Sequence, residues 1–401
     1  MNINISLSVL SISFCLLACR QNNDSSQFSG GQESSQYKAL YQQLDSIAQT
    51  DVLPGFAVSV FNADTIYFKN GFGYSDLEDE KAFTADNIQI IASLTKTLVG
   101  VALMKAVEEG ELSLDDHISN ILPYEVVNPN FPNDKITIRM LASHTSSISD
   151  SKNSDKGYRF ETPLDSADFP EAYHTLLENY NKKDKILMSD FIQEKLDAKK
   201  GGYDKEMFIN EQPGTFYEYS NTGIALLAHI IEIKTGKSFD KYTEGLILQA
   251  LEMKSSHWRL DKVPASKQVS YYNELKNELP KYYIITYPDG GLYSSVTDMT
   301  LFLQEMIKGY DGKSQILSKQ SFHEMMKKQF LGEDLDDGIC WDLSFEGLIG
   351  HSGNDFGTAT LMYFSPETGI GRILFTNISI ETEEQEEAFY GIFNLLFEYE
   401  F

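Results

Sequence analysis

The sequence predicts a mixed α/β fold of the α+β type that contains antiparallel strands. Residues 56–68 alternate as a β-hairpin does, and residues 341–377 show an alternation typical of neighbouring antiparallel strands. Between them, residues 93–110 space their apolar side chains at helical intervals. Hydrophobic residues make up 42% of the 401 residues and charged residues 23%, which is typical of a folded chain with a large core.

The charge of the chain argues against two classes of partner. Lys and Arg number 33 against 59 Asp and Glu, so the net charge is −26 with histidine neutral. A nucleic acid requires a basic patch that displaces counterions, and an anionic lipid surface attracts the same kind of patch. The sequence contains no such basic run. We therefore expect no nucleic acid partner and no direct binding to an anionic bilayer.

Residues 1–18 have the features of an export signal. The stretch INISLSVLSISFCLLAC is apolar and uncharged but short for a permanent transmembrane helix. Its end, Leu16-Leu17-Ala18-Cys19, resembles a bacterial lipobox, which implies a lipid anchor on Cys19. No Lys or Arg precedes the apolar stretch, so an ordinary secretory signal is the alternative. We predict an extracytoplasmic protein of the bacterial cell envelope that contacts the membrane only through this anchor.

Residues 19–36 predict a flexible tether, because they are polar, contain Gly-Gly and lack apolar periodicity. Helical spacing begins near Tyr37, and no clean linker follows it. Residues 37–401 therefore predict one compact catalytic unit. Within it, residues 62–64 are expected to form the turn of the first hairpin.

The first candidate for chemistry is Ser93 followed by Lys96, at the start of the predicted helix. A spacing of three puts both side chains on one face, where the amine can activate a serine that is otherwise a weak nucleophile. The same pattern occurs at Ser35, Ser149 and Ser238, but Ser93 is distinguished by apolar runs on both sides. These runs would bury the lysine and lower its pKa. A helix-capping serine before a solvated lysine is the alternative.

A second candidate is Tyr219 with Asn221, directly before the helical run TGIALLAHIIEIKTG. In an extended backbone, residues two apart project to the same side, so a proton-relaying phenol could lie beside an amide that orients a carbonyl. The alternative is that Ser220 or Asn221 caps the helix and that the tyrosine packs. The run ends at Gly236, which indicates a helix C-terminus rather than a strand motif at Lys-Thr-Gly.

A third candidate is Gly350-His351-Ser352-Gly353-Asn354, which lies within the C-terminal alternating region. Gly353 would let the backbone approach a ligand closely. The spacing does not fit the Gly-x-Ser-x-Gly nucleophile elbow, because Gly353 follows Ser352 immediately.

Cysteine and histidine give no sign of a disulfide framework or a metal site. Cys15, Cys19 and Cys340 are too few for a framework, and Cys340 is predicted to be a buried thiol rather than a nucleophile. The seven histidines are scattered, and residues 323–327 lack the second histidine of a zinc-protease helix. We expect no metal and no cofactor.

The three candidates occur in the order Ser-x-x-Lys, Tyr-x-Asn and His-x-Gly, which resembles the serine β-lactamase-like superfamily. This group includes class C β-lactamases, D,D-carboxypeptidases, D-aminopeptidases and related esterases. The resemblance covers residues 51–376 and includes PGFAVSV, LASHTSS, GGLYSSVTDM and IGHSGND. It implies an antiparallel sheet flanked by helices and built from both chain ends, about 37–92 and 285–401. A mainly helical region, about 93–284, would be inserted between them.

The resemblance assigns a role to each residue of the first two motifs. Ser93 would be the acylated nucleophile and Lys96 its activating partner. Tyr219 would relay protons, and Asn221 would bind the amide or ester side chain of the substrate. Whether Lys96 or Tyr219 is the general base stays open, because the two groups are expected to titrate together.

The third motif would form the facing strand of the site. His351, Ser352 and Gly353 would line this strand, and the backbone N–H of Asn354 would join that of Ser93 in an oxyanion hole. Class C β-lactamases have lysine where this chain has His351, so the resemblance is stronger to the peptidase and esterase branches. We therefore do not expect efficient hydrolysis of β-lactams.

The resemblance implies a serine hydrolase that forms an acyl-enzyme on Ser93 and hydrolyses an amide or ester. The expected substrates are D-amino acid peptides and small esters. A class C-like β-lactamase and a non-catalytic penicillin- or peptide-binding lipoprotein on the same scaffold are the alternatives. The family often has glycine where this chain has Ser147, so His144 is interpreted as a structural loop residue. The sequence predicts no particular oligomeric state.

Overall fold

The computed structural model describes residues 35–150, 156–163, 180, 182, 185–330, 336–345 and 347–399. The predicted export signal, Cys19 and most of the predicted tether lie outside these residues. The described strands are β1 (Gly55–Phe61), β2 (Ile66–Asp76), β3 (Lys81–Ala82), β4 (Gln89–Ile90), β5 (Tyr158–Phe160), β6 (Tyr271–Tyr272), β7 (Glu278–Leu279), β8 (Tyr282–Ile284), β9 (Tyr293–Ser294), β10 (Ile349–Asp355), β11 (Thr358–Phe364) and β12 (Gly371–Thr376). The described α-helices are α1 (Ser35–Ala48), α2 (Thr95–Glu108), α3 (Ile138–Ala142), α4 (Met188–Leu196), α5 (Asn221–Thr235), α6 (Phe239–Thr243), α7 (Val296–Tyr310), α8 (Lys319–Met325) and α9 (Glu383–Leu395).

The predicted N-terminal hairpin is confirmed as β1 and β2. Its turn is closed by Asn62, whose Oδ1 accepts hydrogen bonds from the backbone N–H groups of Asp64 and Thr65 at 2.9 and 2.8 Å. The strands pair antiparallel, with an irregularity between Val60 and Phe61. β1 differs from a simple alternating strand in being buried along its whole length, because both faces of the sheet are covered there.

The main sheet has six strands in the order β10-β11-β12-β1-β2-β3. β12 pairs with β1 so that Phe56 lies opposite Thr376, which joins the two ends of the chain in one antiparallel sheet. The predicted fold class, an antiparallel sheet flanked by helices, is confirmed. β10 lies at one edge of this sheet. On its open side Gly350 pairs with Asp342, and no further strand pairs there among the described residues.

Each face of the sheet has its own apolar core. On the outer face, α1 packs on β2, and α9 packs on β12 with Phe389 and Ile392 among its buried residues. On the inner face, α7 packs against β1 and β12, with Phe302 fully buried. The inner core continues into the helical region, where α2 contacts α5 and α8. Within the described part of the chain, no helix is long and apolar enough to cross a bilayer.

Candidate active site

Ser93 lies in a tight 3-10 turn, Ala92–Leu94, immediately before α2. The residue before it, Ala92, has φ of 48°, a left-handed conformation that is unfavourable for a residue other than glycine. The turn is held by Thr95, whose Oγ1 donates to the Ala92 carbonyl oxygen at 2.7 Å. The N-cap position of α2 is Leu94, with no side-chain cap, so the helix-capping interpretation of Ser93 is wrong.

Lys96 is fully buried and lies directly beneath Ser93. Its Nζ is 2.8 Å from Ser93 Oγ, and it donates to Asn221 Oδ1 at 2.7 Å and to the Asp289 backbone oxygen at 2.5 Å. The solvated-lysine alternative is therefore wrong. Burial disfavours the charged ammonium and lowers the pKa of Lys96 to about 8, although the nearby carboxylates of Asp289 and Asp150 act in the opposite direction.

Tyr219 and Asn221 reach the same cluster from the start of α5. Tyr219 Oη donates to Ser93 Oγ at 2.7 Å, and Asn221 accepts from Lys96 as described. Between them, Ser220 caps α5, because its Oγ accepts from the Gly223 N–H at 2.9 Å. Both interpretations of this segment therefore hold: the Tyr219 and Asn221 side chains reach the same cluster, and Ser220 caps the helix.

The Tyr219 phenol stays protonated across the ordinary pH range. Desolvation by burial raises its pKa above the usual 10, and the Asp289 and Asp150 carboxylates act in the same direction. The side chain is 36% exposed, so solvent lessens this shift without reversing its direction. The Lys96 Nζ lies 4.9 Å from the Tyr219 ring centroid, so the amine contacts both the Ser93 hydroxyl and the face of the Tyr219 ring.

Strand β10 passes close to the nucleophile at Gly353. A Cβ added to Gly353 would lie 2.9 Å from the Ser93 backbone nitrogen and 3.0 Å from the Ala92 Cβ, so only glycine permits this approach. His351 shares this face of the strand, and its ring centroid lies 6.4 Å from that of Tyr219. Its Nδ1–H donates to the Ser352 carbonyl oxygen at 2.6 Å. Burial lowers the pKa of His351 to about 4, which leaves a neutral imidazole in the site.

The side chains of Ser352 and Asn354 point away from Ser93. A strand alternates its side chains, so both face the outer side of the sheet when His351 and Gly353 face the nucleophile. Asn354 Nδ2 donates to the Ile380 carbonyl oxygen at 3.1 Å. The Ser352 side chain therefore does not line this face of the site as the resemblance implies, and its backbone oxygen accepts from His351.

A model of the Beta-lactamase family matches residues 42–397, which is most of the chain. The chain belongs to the β-lactamase family. Two curated relatives show how distant its members are. "Protein flp" from Staphylococcus aureus strain COL is 23% identical over 352 residues, covering 85% of this chain and 64% of flp. "Penicillin-binding protein 4*" from Bacillus subtilis strain 168 is 22% identical, covering 90% of this chain and 76% of that protein.

Two solved structures are similar to this chain at comparably low sequence identity. The octameric penicillin-binding protein homologue from Pyrococcus abyssi superimposes with a TM-score of 0.68 at 24% identity, covering 90% of this chain and 77% of the other. FmtA from Staphylococcus aureus gives a TM-score of 0.64 at 17% identity and 89% coverage of both chains. At these identities the likeness shows the fold alone. The chain also spans only 64% of the length of flp.

Two residues of the candidate site, Asp289 and Asp150, were missed by the sequence analysis because no motif marks them. Asp289 contributes its backbone oxygen to Lys96, and any residue type could do so. Asp150 accepts from the backbone N–H groups of Asn221 and Thr222 at 2.8 and 3.0 Å, across 71 and 72 residues of chain. Aspartate at a helix start is a familiar signal, but only when it is adjacent in sequence.

The remaining sequence candidates lie away from Ser93 or have structural roles. Gly236 ends α5 with φ of 67°, which confirms the predicted helix C-terminus. Cys340 is a buried free thiol, as predicted, and burial raises its pKa. Glu324 forms ion pairs with Arg139 and Lys327. Among the residues that the structure describes, no group of three His, Cys, Asp or Glu side chains is arranged to hold a metal.

Proposed function

We propose that this chain is a serine acyl hydrolase in which Ser93 is the acylated nucleophile and Lys96 its general base. The observation that carries the proposal is the position of the Ser93 hydroxyl between the buried Lys96 amine at 2.8 Å and the Tyr219 phenol at 2.7 Å. A nucleophile within hydrogen-bond reach of a base, which is itself oriented by a third group, is the arrangement that acyl transfer requires. Asn221 is that third group.

The hydrogen bonds of Lys96 favour it over Tyr219 as the base. Asn221 Oδ1 and the Asp289 carbonyl oxygen can only accept, so they use two N–H groups of the amine. In the neutral amine, the remaining lone pair faces Ser93. A pKa of about 8 makes this neutral form available near neutral pH, whereas the raised pKa of Tyr219 keeps the phenol a donor.

In the proposed reaction, Lys96 and Tyr219 carry every proton that is transferred. As the bond between Ser93 Oγ and the substrate carbonyl carbon forms, the hydroxyl proton passes to Lys96 Nζ. Collapse of the tetrahedral intermediate expels an amine or alcohol, which takes the proton from Lys96 through the Tyr219 hydroxyl. Water then attacks the acyl carbon and gives a proton to Lys96 through the Tyr219 hydroxyl. Lys96 passes this proton to Ser93 Oγ as the bond between Oγ and the acyl carbon breaks, which releases the acid and restores Ser93.

The oxyanion of the intermediate would be held by backbone donors. The Ser93 nitrogen lies against Gly353, and the next residue along this edge strand is Asn354. We assign the N–H groups of Ser93 and Asn354 to the oxyanion hole. The strained φ of Ala92 supports this assignment, because strain at such a position is typical of a turn fixed for function.

D-amino acid peptides and small esters are the proposed substrates. The neutral His351 offers no positive charge to a carboxylate beside the scissile bond. This favours small esters and D-amino acid peptides that lack such a carboxylate over β-lactams and over peptides cleaved before a C-terminal residue. We therefore expect β-lactams to acylate Ser93 slowly. The proposed setting is the bacterial cell envelope, with the body of residues 37–401 held by a tether from a lipid on Cys19.

The proposal is tested by intact-protein mass spectrometry of residues 37–401 after treatment with a fluorophosphonate. Wild type should gain one adduct that Ser93→Ala lacks, and should turn over a p-nitrophenyl ester repeatedly. A stable acyl adduct that is not discharged would instead support the binding-protein alternative. A folded wild type with no adduct on Ser93 would contradict the proposal.

A further inference from the structure

A buried loop, residues 144–150, runs beside the segment that carries Tyr219 and Asn221. The backbone oxygen of His144 accepts from the Glu218 N–H at 2.8 Å, and His144 Nδ1 accepts from the Ser220 N–H at 3.1 Å. One histidine therefore binds the backbone on both sides of Tyr219. Its ring also lies against the Tyr219 ring, with centroids 4.4 Å apart and planes tilted by 32°.

The other end of the loop binds the other half of the segment. The Asp150 carboxylate accepts from the N–H groups of Asn221 and Thr222, and from the Thr222 hydroxyl at 2.7 Å. The start of α5 already has a local cap in Ser220. The carboxylate therefore satisfies two further orphan donors of the helix and fixes the residue whose amide oxygen binds Lys96.

The His144 imidazole is built to act as an acceptor. Because Nδ1 accepts from a backbone N–H, the ring proton is on Nε2, which is buried and has no partner among the described residues. Protonation of Nδ1 would break this hydrogen bond. Burial and the nearby Lys96 also lower the pKa of His144, so the ring stays neutral.

The loop itself is held rigidly. His144 and Ser147 have φ of 56° and 61°, and both are at most 2% exposed. Ser147 Oγ accepts from Asn128 Nδ2 at 2.9 Å, and Ser147 O accepts from the Ile209 N–H at 3.1 Å. Left-handed backbone at two buried residues persists only when the surroundings determine it.

We propose that His144 and Asp150 are positioning residues, which together set the direction of Tyr219 and Asn221 toward Ser93 and Lys96. The proposal rests on the proposed function, because it assigns these residues to the same reaction. Neither side chain needs to touch the substrate. Catalytic groups must be held within about 0.5 Å of their working geometry, and hydrogen bonds that bracket Tyr219 and fix Asn221 supply this restraint.

The test compares graded variants with a matched control. His144→Phe keeps the ring against Tyr219 but removes the acceptor for the Ser220 N–H, whereas His144→Asn keeps an acceptor near Nδ1 and tolerates a left-handed backbone. Asp150→Asn keeps one acceptor oxygen, and Asp150→Ala removes both. Thr382→Ala, which removes the cap of α9 on the outer face of the sheet, is the control for lost helix capping.

Positioning predicts a loss in kcat with little change in KM for a p-nitrophenyl ester. We expect kcat to fall about 10- to 100-fold in His144→Phe and Asp150→Ala, with the Asn variants within about fivefold of wild type. Thr382→Ala should lower Tm and leave kcat unchanged. Wild-type kcat in His144→Phe and Asp150→Ala would overturn the proposal. The proposal would also be overturned if kcat fell in proportion to Tm in every variant, including the control Thr382→Ala.

Hydrogen exchange separates this proposal from the proposed function. The amides of Asn221 and Thr222 should exchange slowly in wild type and at least about tenfold faster in Asp150→Ala, because this variant removes their acceptor. The Ser220 amide should respond in the same way in His144→Phe, which removes the acceptor Nδ1. This readout does not depend on turnover, so a wild type without an adduct on Ser93 would contradict the proposed function alone. Unchanged exchange in both His144→Phe and Asp150→Ala would overturn the positioning proposal, even in an active enzyme.

Discussion

Helices α5 and α9 begin in different ways, although both have a hydroxyl residue at the N-cap. At α9, Thr382 accepts from the Gln385 N–H, and the Gln385 side chain accepts from the Thr382 N–H, so the start is completed locally. At α5, Ser220 accepts from Gly223, and the other donors are bound by Asp150 across 71 and 72 residues of chain.

The start of α9 serves only the stability of the fold, whereas the start of α5 also positions the Tyr219 and Asn221 side chains. A local capping box satisfies the orphan donors of α9 on the outer face of the sheet, opposite the face on which His351 and Gly353 approach the nucleophile. The start of α5 is fixed by a distant loop because it carries Tyr219 and Asn221. We therefore expect changes at the start of α5 to lower activity, and comparable changes at α9 to leave activity unaltered.

The largest contrast is expected between two tyrosines. Tyr219→Phe removes the hydroxyl that donates to Ser93, and proton transfer by such a group contributes on the order of 10² to 10⁴ in rate. Tyr390→Phe on α9 removes a hydroxyl from a residue that is 36% exposed, the same fraction as Tyr219. Steady-state kinetics with one ester should show the loss only in Tyr219→Phe. A wild-type rate in that variant would contradict the role of the phenol.

Two glycines provide the next contrast. A Cβ at Gly353 would lie 2.9 Å from the Ser93 nitrogen, so Gly353→Ala should displace β10 and lower kcat/KM roughly 100-fold. Gly391 lies within α9, and a Cβ there would meet nothing within 4 Å. Gly391→Ala should therefore stabilise the protein by about 0.5–1 kcal/mol and leave activity unchanged. Kinetics and thermal unfolding of both variants check this pair, and a Gly353→Ala enzyme of full activity would contradict it.

A smaller effect is expected on the pH profile. The Asp289 carboxylate, whose own pKa is raised by burial to about 7, raises the pKa of Lys96. Asp289→Asn removes this charge, so the neutral amine forms at lower pH and the rising limb of kcat/KM should move to lower pH. Glu386→Gln on α9 should leave the limb in place. A limb that moves to higher pH in Asp289→Asn would contradict the assignment of Lys96 as base.

The smallest effect concerns stability alone. Thr382→Ala should cost about 1 kcal/mol of unfolding free energy through the lost N-cap, as measured by urea denaturation. The kinetic constants should be those of wild type. A change in kcat of the kind expected at α5 would remove the distinction between the two helix starts.

Much of this architecture follows from local sequence pattern. The hairpin of β1 and β2, the helix after Ser93 and the end of α5 at Gly236 are encoded by periodicity, turn residues and a left-handed glycine, all of which act over a few residues. The resemblance of the three motifs to a known superfamily predicted which distant segments the fold brings together.

Other features depend on contacts that no local pattern encodes. Asp150 reaches the start of α5 from a separate loop, and Asp289 acts through its backbone oxygen. Ser352 faces the outer side of the sheet because the register of β10 is set by Gly353 against Ser93, and register depends on pairing with β11. Such properties belong to the packed structure rather than to any short stretch of chain.

The most direct test of the account is the pH dependence of Ser93 labelling by a fluorophosphonate in wild type and Lys96→Arg. If neutral Lys96 is the base, the wild-type rate should rise through about pH 8 and then level off. Arginine stays protonated, so Ser93 in the Lys96→Arg protein should be labelled about 10²- to 10⁴-fold more slowly, at a rate nearly independent of pH. A Lys96→Arg protein that labels at the wild-type rate with the wild-type pH profile would contradict the account.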